Sequence, residues 1–324
     1  MNNYLVQNQL LFTEANFNND IGLPLTLIKL ENTHSHVVLE LGMNHSGEIA
    51  ELTKIAKPHI ALITNIGEAH IQNFNSKDDI AKAKKELLDY SDHLEISILP
   101  RDDDYYKFLA TNKNNSNQLT FGFTKEATIN GKILDNHKIL ISTPEDSFEV
   151  KINLLGKQNI KNILAACACS YALNIPSNII KKGIESIKPY PGRLEIINSK
   201  SGLTVINDSY NANPSSMKEA IDVLSSTEGR KILIIGDMAE LGNDSKKYHQ
   251  ELGDYIKKAS IDFTLALGRH TKITMQQLGN DELWFETKEA LVSMLLKIIK
   301  PESVILVKGS RFMEMEEVVN KIIL

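Results

Sequence analysis

Basic residues are in deficit in this chain, cysteine is scarce, and no hydrophobic run is long. Lysine and arginine number 36 against 41 acidic residues, a formal net charge of −5. That balance advertises no basic face, which argues against nucleic acid or an anionic membrane as partner. The only cysteines, Cys167 and Cys169, stand two apart on an apolar helical stretch. Such a spacing bridges poorly and is not a metal knuckle, so buried thiols in a reducing cytoplasm are expected. No apolar run reaches the ~18 residues that argue for a membrane helix. The first dozen residues lack the basic region and sustained apolar core of a secretory signal. Internal repeats and low-complexity tracts are also missing, apart from a polar loop at 111–117.

What the chain does have is a globular composition: 324 residues, 42% hydrophobic and 24% charged. That suffices for a full core in each of two domains, or in three smaller ones. The last third alternates. Apolar runs at 203–206, 231–235, 263–267, 283–286 and 304–307 are separated by helical patterns such as 245–258 and 288–299. This pattern predicts a parallel sheet covered on both faces. Polar loops follow these strands: Gly236 to Glu240, Gly268-Arg269-His270, and Lys308-Gly309-Ser310-Arg311. In open α/β sheets, ligands bind beyond the carboxyl ends of the strands.

The first half reads differently. Buried strands are expected at 37–41 and 60–64, and a long helix at 77–90. Short strands at 118–123, 127–129, 132–134, 138–142 and 148–152 imply an antiparallel meander, with Asn130-Gly131 as a hairpin turn. Helices at 159–173 and 177–186 come next. Pro189-Tyr190-Pro191-Gly192 then punctuates the chain, which sets the expected domains at 1–190 and 191–324.

The densest chemistry lies in Asn207-Asp-Ser-Tyr-Asn-Ala-Asn-Pro214, between an apolar strand and an amphipathic helix. Asn213 and Pro214 suit a helix N-cap and first position, ahead of a buried stripe of Met217, Ala220, Ile221 and Leu224. A cap does not account for Asp208, Tyr210 or Asn211, and a ligand site is favoured over a plain turn there. Earlier in the chain, Glu40 ends one apolar run and His70 follows the next, while Lys84 lies on the helix after that. A carboxylate and an imidazole from neighbouring strand ends could share a divalent ion, and magnesium asks chiefly for oxygen ligands. Taken singly, a loop histidine and the Lys82, Lys84, Lys85 group are more often surface residues.

Their order and company say more. The chain carries Thr13-Glu-Ala-Asn-Phe-Asn-Asn-Asp-Ile-Gly22, Glu40-Leu-Gly-Met-Asn-His-Ser-Gly-Glu48 and Thr64-Asn-Ile-Gly-Glu-Ala-His70. Ala81-Lys-Ala-Lys-Lys-Glu86, Gly156-Lys-Gln-Asn-Ile-Lys-Asn162 and Pro191-Gly-Arg-Leu-Glu195 follow. The Asn207–Pro214 segment, Gly236-Asp-Met-Ala-Glu-Leu-Gly242 and Val307-Lys-Gly-Ser-Arg311 complete the series. Over almost its whole length the chain resembles the Mur ligase family. The fold so implied is α/β: a Mur-ligase central ATPase domain, shortened at its N-terminus and carrying the meander, then a Rossmann-like C-terminal domain.

The resemblance implies an ATP-dependent amide ligase of peptidoglycan precursor synthesis. ATP would phosphorylate the terminal carboxylate of UDP-N-acetylmuramoyl-tripeptide, and the amine of D-alanyl-D-alanine would attack the acyl phosphate. Positioning and charge neutralisation do most of the work in such transfers. By the same resemblance, Glu40 and His70 look like magnesium ligands, and Lys84 matches a carbamylated lysine whose new oxygens would serve a second Mg2+. Lys84, His70 and Arg193 are the catalytic candidates. Asn159 matches an adenine-side asparagine, Arg193 an arginine that meets the γ-phosphate, and Asp208 and Tyr210 would face the nucleotide. Asn211, Asn213, Lys308, Ser310 and Arg311 would lie near the incoming dipeptide. Thr13, Asn16, Asn18 and Asn19 match the loop on the muramoyl-peptide side.

Two departures stand out. Gln158 occupies a position where the family usually has histidine; glutamine keeps a donor and an acceptor. More seriously, no Gly-x-x-x-x-Gly-Lys-Ser/Thr occurs, and twelve residues precede Thr13, where the family carries its phosphate loop and a further N-terminal domain. Loss of one preorganised donor can cost about 10²–10³ in rate. Turnover by this chain alone is therefore expected to be abolished, ATP binding crippled, and an apolar sheet edge exposed. Competing readings are a folylpolyglutamate- or cyanophycin-type ligase of the same superfamily, and a C-terminal module that binds without chemistry. In a third, Glu40 and His70 are merely structural.

Overall fold

Amphipathic helices set between short apolar strands build two compact units, one from residues 1–67, 73–153 and 159–187, the other from 68–72, 154–158 and 188–324. The computed structural model describes residues 9–68, 71–111, 116–135, 137–199 and 202–323.

In the first unit, β1 (Leu10–Phe12) and β2 (His36–Val38) pair in parallel, with α1 (Gly22–Leu27) between them in the chain. Strand β2 ends earlier than its apolar run suggests. The Glu40 N–H is taken by the Thr13 hydroxyl (2.9 Å), a side chain, so the ladder stops before the carboxylate. Then come α2 (Glu48–Ala56), β3 (Ile60–Leu62), α3 (Lys77–Asp89), β4 (Ile96–Pro100), α4 (Tyr106–Ala110) and β5 (Asn117–Gly122). Ser76 caps α3 by accepting from the Asp79 amide, Asp78 and Asp79 face the helix dipole, and Ile80, Ala81, Ala83 and Leu88 form its buried stripe. The polar loop at 111–117 falls largely outside the described residues.

The meander is shorter than its sequence implied. Strands β6 (Ile129–Asp135), β7 (Lys138–Ser142) and β8 (Ser147–Lys151) are antiparallel, but β5 pairs in parallel with β4 and with the start of β6. One six-stranded sheet results, in the order β3-β4-β5-β6-β7-β8. Asn130-Gly131 is no hairpin turn; it lies inside β6. A Cβ at Gly131 would come within 2.9 Å of the Leu164 methyls. The glycine is there because a helix packs against the strand, not because the chain reverses. That helix is α5 (Lys157–Ala172), and α6 (Ser177–Glu185) closes the unit.

The second unit is doubly wound. Its elements are β9 (Glu195–Asn198), β10 (Thr204–Asp208), α7 (Pro214–Ser225), β11 (Arg230–Gly236), α8 (Ser245–Lys257) and β12 (Phe263–Leu267). They continue with α9 (Thr271–Leu278), β13 (Trp284–Phe285), α10 (Lys288–Ile298), β14 (Ser303–Lys308) and α11 (Glu316–Ile323). The sheet order is β13-β12-β11-β14-β10-β9, all parallel except the edge strand β9, which runs antiparallel to β10. One core cluster joins the sheet to α7, α8 and α9 through Met217, Leu224, Leu252 and Met275; another joins it to α10 and α11 through Leu291, Leu295, Val318 and Ile322. Strands buried on both faces explain the near-continuous apolar runs. The carboxyl ends of β10, β11, β12 and β14 therefore share one edge, and their polar loops emerge there.

Candidate active site

In the first unit, the loop after β1 and the residue beyond β2 meet at the carboxyl ends of two parallel strands. Asn18 donates its amide to Glu40 Oε1 (2.9 Å), and its carbonyl accepts the Gly42 N–H (2.8 Å). A Cβ on Gly42 would strike the Asn18 side chain at 2.9 Å, so this glycine allows the close approach. Asn19 accepts the Gly22 amide (2.8 Å) at the start of α1, which makes it a helix-end ligand, while Asn16 is exposed and uses its carbonyl for the Asn18 N–H (2.8 Å). Thr13, Asn18 and Glu40 are thus one constellation. Among the described residues Glu40 Oε2 has no protein partner, and the residue is exposed.

Lys84 turns inward from α3. Its Nζ donates to the Asn65 carbonyl (2.7 Å), and Asp103 Oδ2 accepts the Ile66 N–H (2.9 Å). Carbonyl and amide belong to one peptide group, so a cation and a carboxylate clamp it from both ends. Burial pulls the Lys84 ammonium below its ordinary range, with Asp103 opposing. Two residues on, Glu86 accepts the Gly47 and Ala50 amides (2.8 and 3.0 Å) and so caps α2 from the neighbouring helix. Lys85, the third member of the run, donates to the Thr111 carbonyl (2.7 Å). His70 lies outside the described residues, and Asn159 sits half-buried in the first turn of α5. Among the described residues no group of three or more His, Cys, Asp or Glu could hold a metal. Glu40 presents one carboxylate oxygen without a protein partner among the described residues, and Lys84 presents an ammonium.

In the second unit the residues singled out converge at the end of β10. Asp208 and Lys308 are register partners on β10 and β14, and their side chains form an ion pair of 2.6 Å. Lys308 Nζ also donates to the Asn211 carbonyl (2.8 Å), and Asp208 Oδ1 accepts the Leu194 N–H (3.1 Å). Burial raises the Asp208 carboxyl and lowers the Lys308 ammonium, each against the other's charge. From the sequence, Asp208 was expected to face the nucleotide and Lys308 to lie near the incoming dipeptide. In the structure each takes up the other, because a charge this deep needs a partner. Arg193 remains exposed, with its guanidinium carbon 4.2 Å from the centre of the Tyr210 ring, and Tyr190 meets that ring edge-on.

The other rim residues divide by role. Asn213 caps α7 in a reciprocal capping box with Ser216. Asn211 and Arg311 are exposed, and Arg311 pairs with Glu316 at 2.7 Å. Ser310 is fully buried and donates to the Asp237 carbonyl. Asp237 itself accepts the His270 and Thr271 amides (2.9 and 2.7 Å) and anchors the start of α9. His249, also fully buried, accepts the Met238 N–H at Nε2 (3.3 Å) and donates from Nδ1 to the Ser245 carbonyl (2.8 Å). Sequence reasoning missed Asp103 and Glu86 as organisers. Asp103 sits in an acidic run that reads as a solvated turn, and nothing in its spacing points to Ile66.

Residues 3–170 match the Mur ligase middle domain, and residues 192–311 the Mur ligase, glutamate ligase domain. The chain belongs to the Mur ligase family. This Mur ligase is 36% identical over 321 residues to the UDP-N-acetylmuramoyl-tripeptide–D-alanyl-D-alanine ligase of Escherichia coli K12, across 95% of its own length and 70% of the relative's. Its fold superposes on MurF from Acinetobacter baumannii with a TM-score of 0.90 at 32% identity, covering 98% of this chain and 71% of that one. For the MurF ligase of Thermotoga maritima, solved with ADP, the TM-score is 0.86 at 26% identity, with 98% and 74% covered.

Proposed function

We propose that this Mur ligase chain serves the ATP-dependent joining of D-alanyl-D-alanine to UDP-N-acetylmuramoyl-tripeptide, in cytoplasmic assembly of the peptidoglycan precursor. The observation that carries the reading is its 36% identity, across 95% of the chain, to an Escherichia coli enzyme of that name. Among the described residues no helix is long and apolar enough to cross a membrane.

The residues suggest a division of labour. Glu40, its Oε1 tied to Asn18, would offer Oε2 to magnesium, together with His70. Lys84, its ammonium destabilised by burial, is disposed to react as the free amine with CO2 and become an oxygen-donor carbamate. Magnesium, when bound, would neutralise phosphate charge. Thr13 and Asn18 would order the loop on the muramoyl-peptide side. The tripeptide carboxylate takes the γ-phosphoryl group, the dipeptide amine attacks the acyl carbon, inorganic phosphate leaves, and the amine gives up a proton. Arg193, Tyr210 and Asn159 would serve the nucleotide, the guanidinium fork meeting phosphate oxygens. Asn211 and Arg311 are the exposed polar groups for the dipeptide.

Acceptor binding separates this reading from its rivals and needs no turnover. In NMR titrations of the full chain, saturable shifts with D-alanyl-D-alanine at Asn211 and Arg311, and none with L-glutamate, are expected. A preference for glutamate, or no dipeptide response at millimolar concentration, overturns it.

A further inference from the structure

Arg193 stands at the crest of a short arch, residues 192–195, whose two feet rest on the end of β10. On one side Gly192 has φ +74°, its N–H is taken by Glu195 Oε2 (3.1 Å), and its carbonyl accepts the Tyr210 N–H (3.0 Å). Glu195 is steadied by the Asn207 amide at 3.2 Å. On the other side Leu194 has φ +49°, a left-handed conformation that a γ-branched side chain rarely adopts. Strain of this kind persists only where the surroundings over-determine the backbone. Here the holding group is Asp208, whose Oδ1 accepts the Leu194 N–H (3.1 Å).

Asp208 is in turn held by Lys308. The ammonium reaches Oδ2 at 2.6 Å and the Asn211 carbonyl at 2.8 Å, and the lysine side chain is 3% exposed. To grip a substrate carboxylate, Lys308 would have to abandon both partners and come to the surface. In place, it joins the arch to the loop that carries Tyr210, the residue beneath the guanidinium. We infer that Lys308 is a positioning residue, which through Asp208 and the Leu194 amide holds the Arg193 guanidinium over Tyr210. That this guanidinium then meets a phosphate rests on the function proposed above. The brace itself does not.

The test uses the full chain with isotope-labelled arginine. With the guanidinium carbon 4.2 Å from the Tyr210 ring centre, the neighbouring Arg193 δ-methylene protons are expected to give an upfield-shifted signal that disappears in Arg193→Lys. In Lys308→Met that signal is expected to return to the ordinary arginine position, while Lys308→Arg, which keeps the charge, retains most of the shift. An unchanged upfield signal in Lys308→Met overturns the inference. If Lys308→Met fails to fold, Asp208→Asn is measured in its stead. The weakened bond to Lys308 should again release the guanidinium, and a full shift in that variant is equally fatal. The D-alanyl-D-alanine titration separates this inference from the reading beneath it. An arginine signal that answers to Lys308, beside Asn211 and Arg311 signals that ignore the dipeptide, leaves the brace standing and removes the proposed function.

Discussion

A lysine in contact with a carbonyl oxygen is common; a lysine and an aspartate on opposite ends of one peptide group are not. Lys84 and Asp103 hold the Asn65–Ile66 peptide this way, with bonds of 2.7 and 2.9 Å. Burial disfavours the Lys84 ammonium, so more of it is the nucleophilic amine at a given pH than for a solvated lysine. The full chain in 13C-bicarbonate should gain one carbamate carbon signal, absent from Lys84→Met. Asp103→Ala leaves the Ile66 N–H without its acceptor and should cost about 1–3 kcal/mol in urea unfolding. His249 makes a second prediction at this scale. Burial lowers its pKa below the ordinary 6.5, so the folded state resists protonation that the unfolded chain accepts. Its contribution is intact above pH 6.5 and is lost as pH falls through the depressed folded value. Wild type should therefore lose stability between neutral pH and pH ~5, and His249→Gln should lose less over that interval, as read by urea midpoints at each pH.

At the scale of elements, capping and close packing decide. Asn213 closes α7 through a reciprocal box with Ser216, and Asn213→Ala should lower stability by about 1 kcal/mol, read by thermal or denaturant unfolding. Gly131 is the sharper case. Asn-Gly between apolar runs is the best short hairpin signal there is, and it misled because the same glycine also suits a strand under a helix. Gly131→Ala would push a methyl group into the fully buried Leu164, and a loss of about 1–3 kcal/mol in urea unfolding is expected. A turn glycine with positive φ would instead have been penalised through its backbone. Strands β12 and β14 were legible almost to the residue, since both lie in the sheet interior and are mostly apolar. Strand β9 was not, because four residues at an edge, half of them exposed, carry too little alternation to be read.

On the scale of the molecule, one region stands apart. Phe12, Ile21, Leu25, Ile28, Val37 and Val38 are all exposed, Ile28 at 79%, around the two-stranded sheet and α1. Exposed apolar residues gathered in one segment favour association. Sedimentation velocity should show self-association that grows with protein concentration and falls in Ile28→Lys and Val38→Lys. An exposed apolar sheet edge was expected from the sequence; the exposed apolar side chains found here belong to β1, β2, α1 and the residues flanking α1.

By itself the sequence determined the doubly wound second unit, the family, and the residues that gather at the strand ends. Apolar periodicity and local turn chemistry are written in near neighbours, and a sheet buried on both faces leaves little choice of register. Tertiary structure alone decided the partners. Lys308 and Asp208 lie 100 positions apart in the chain, and no local pattern says whether two opposite charges at neighbouring strand ends will turn toward a ligand or toward each other. Desolvation decides that. Where water is excluded, the nearest opposite charge takes the bond.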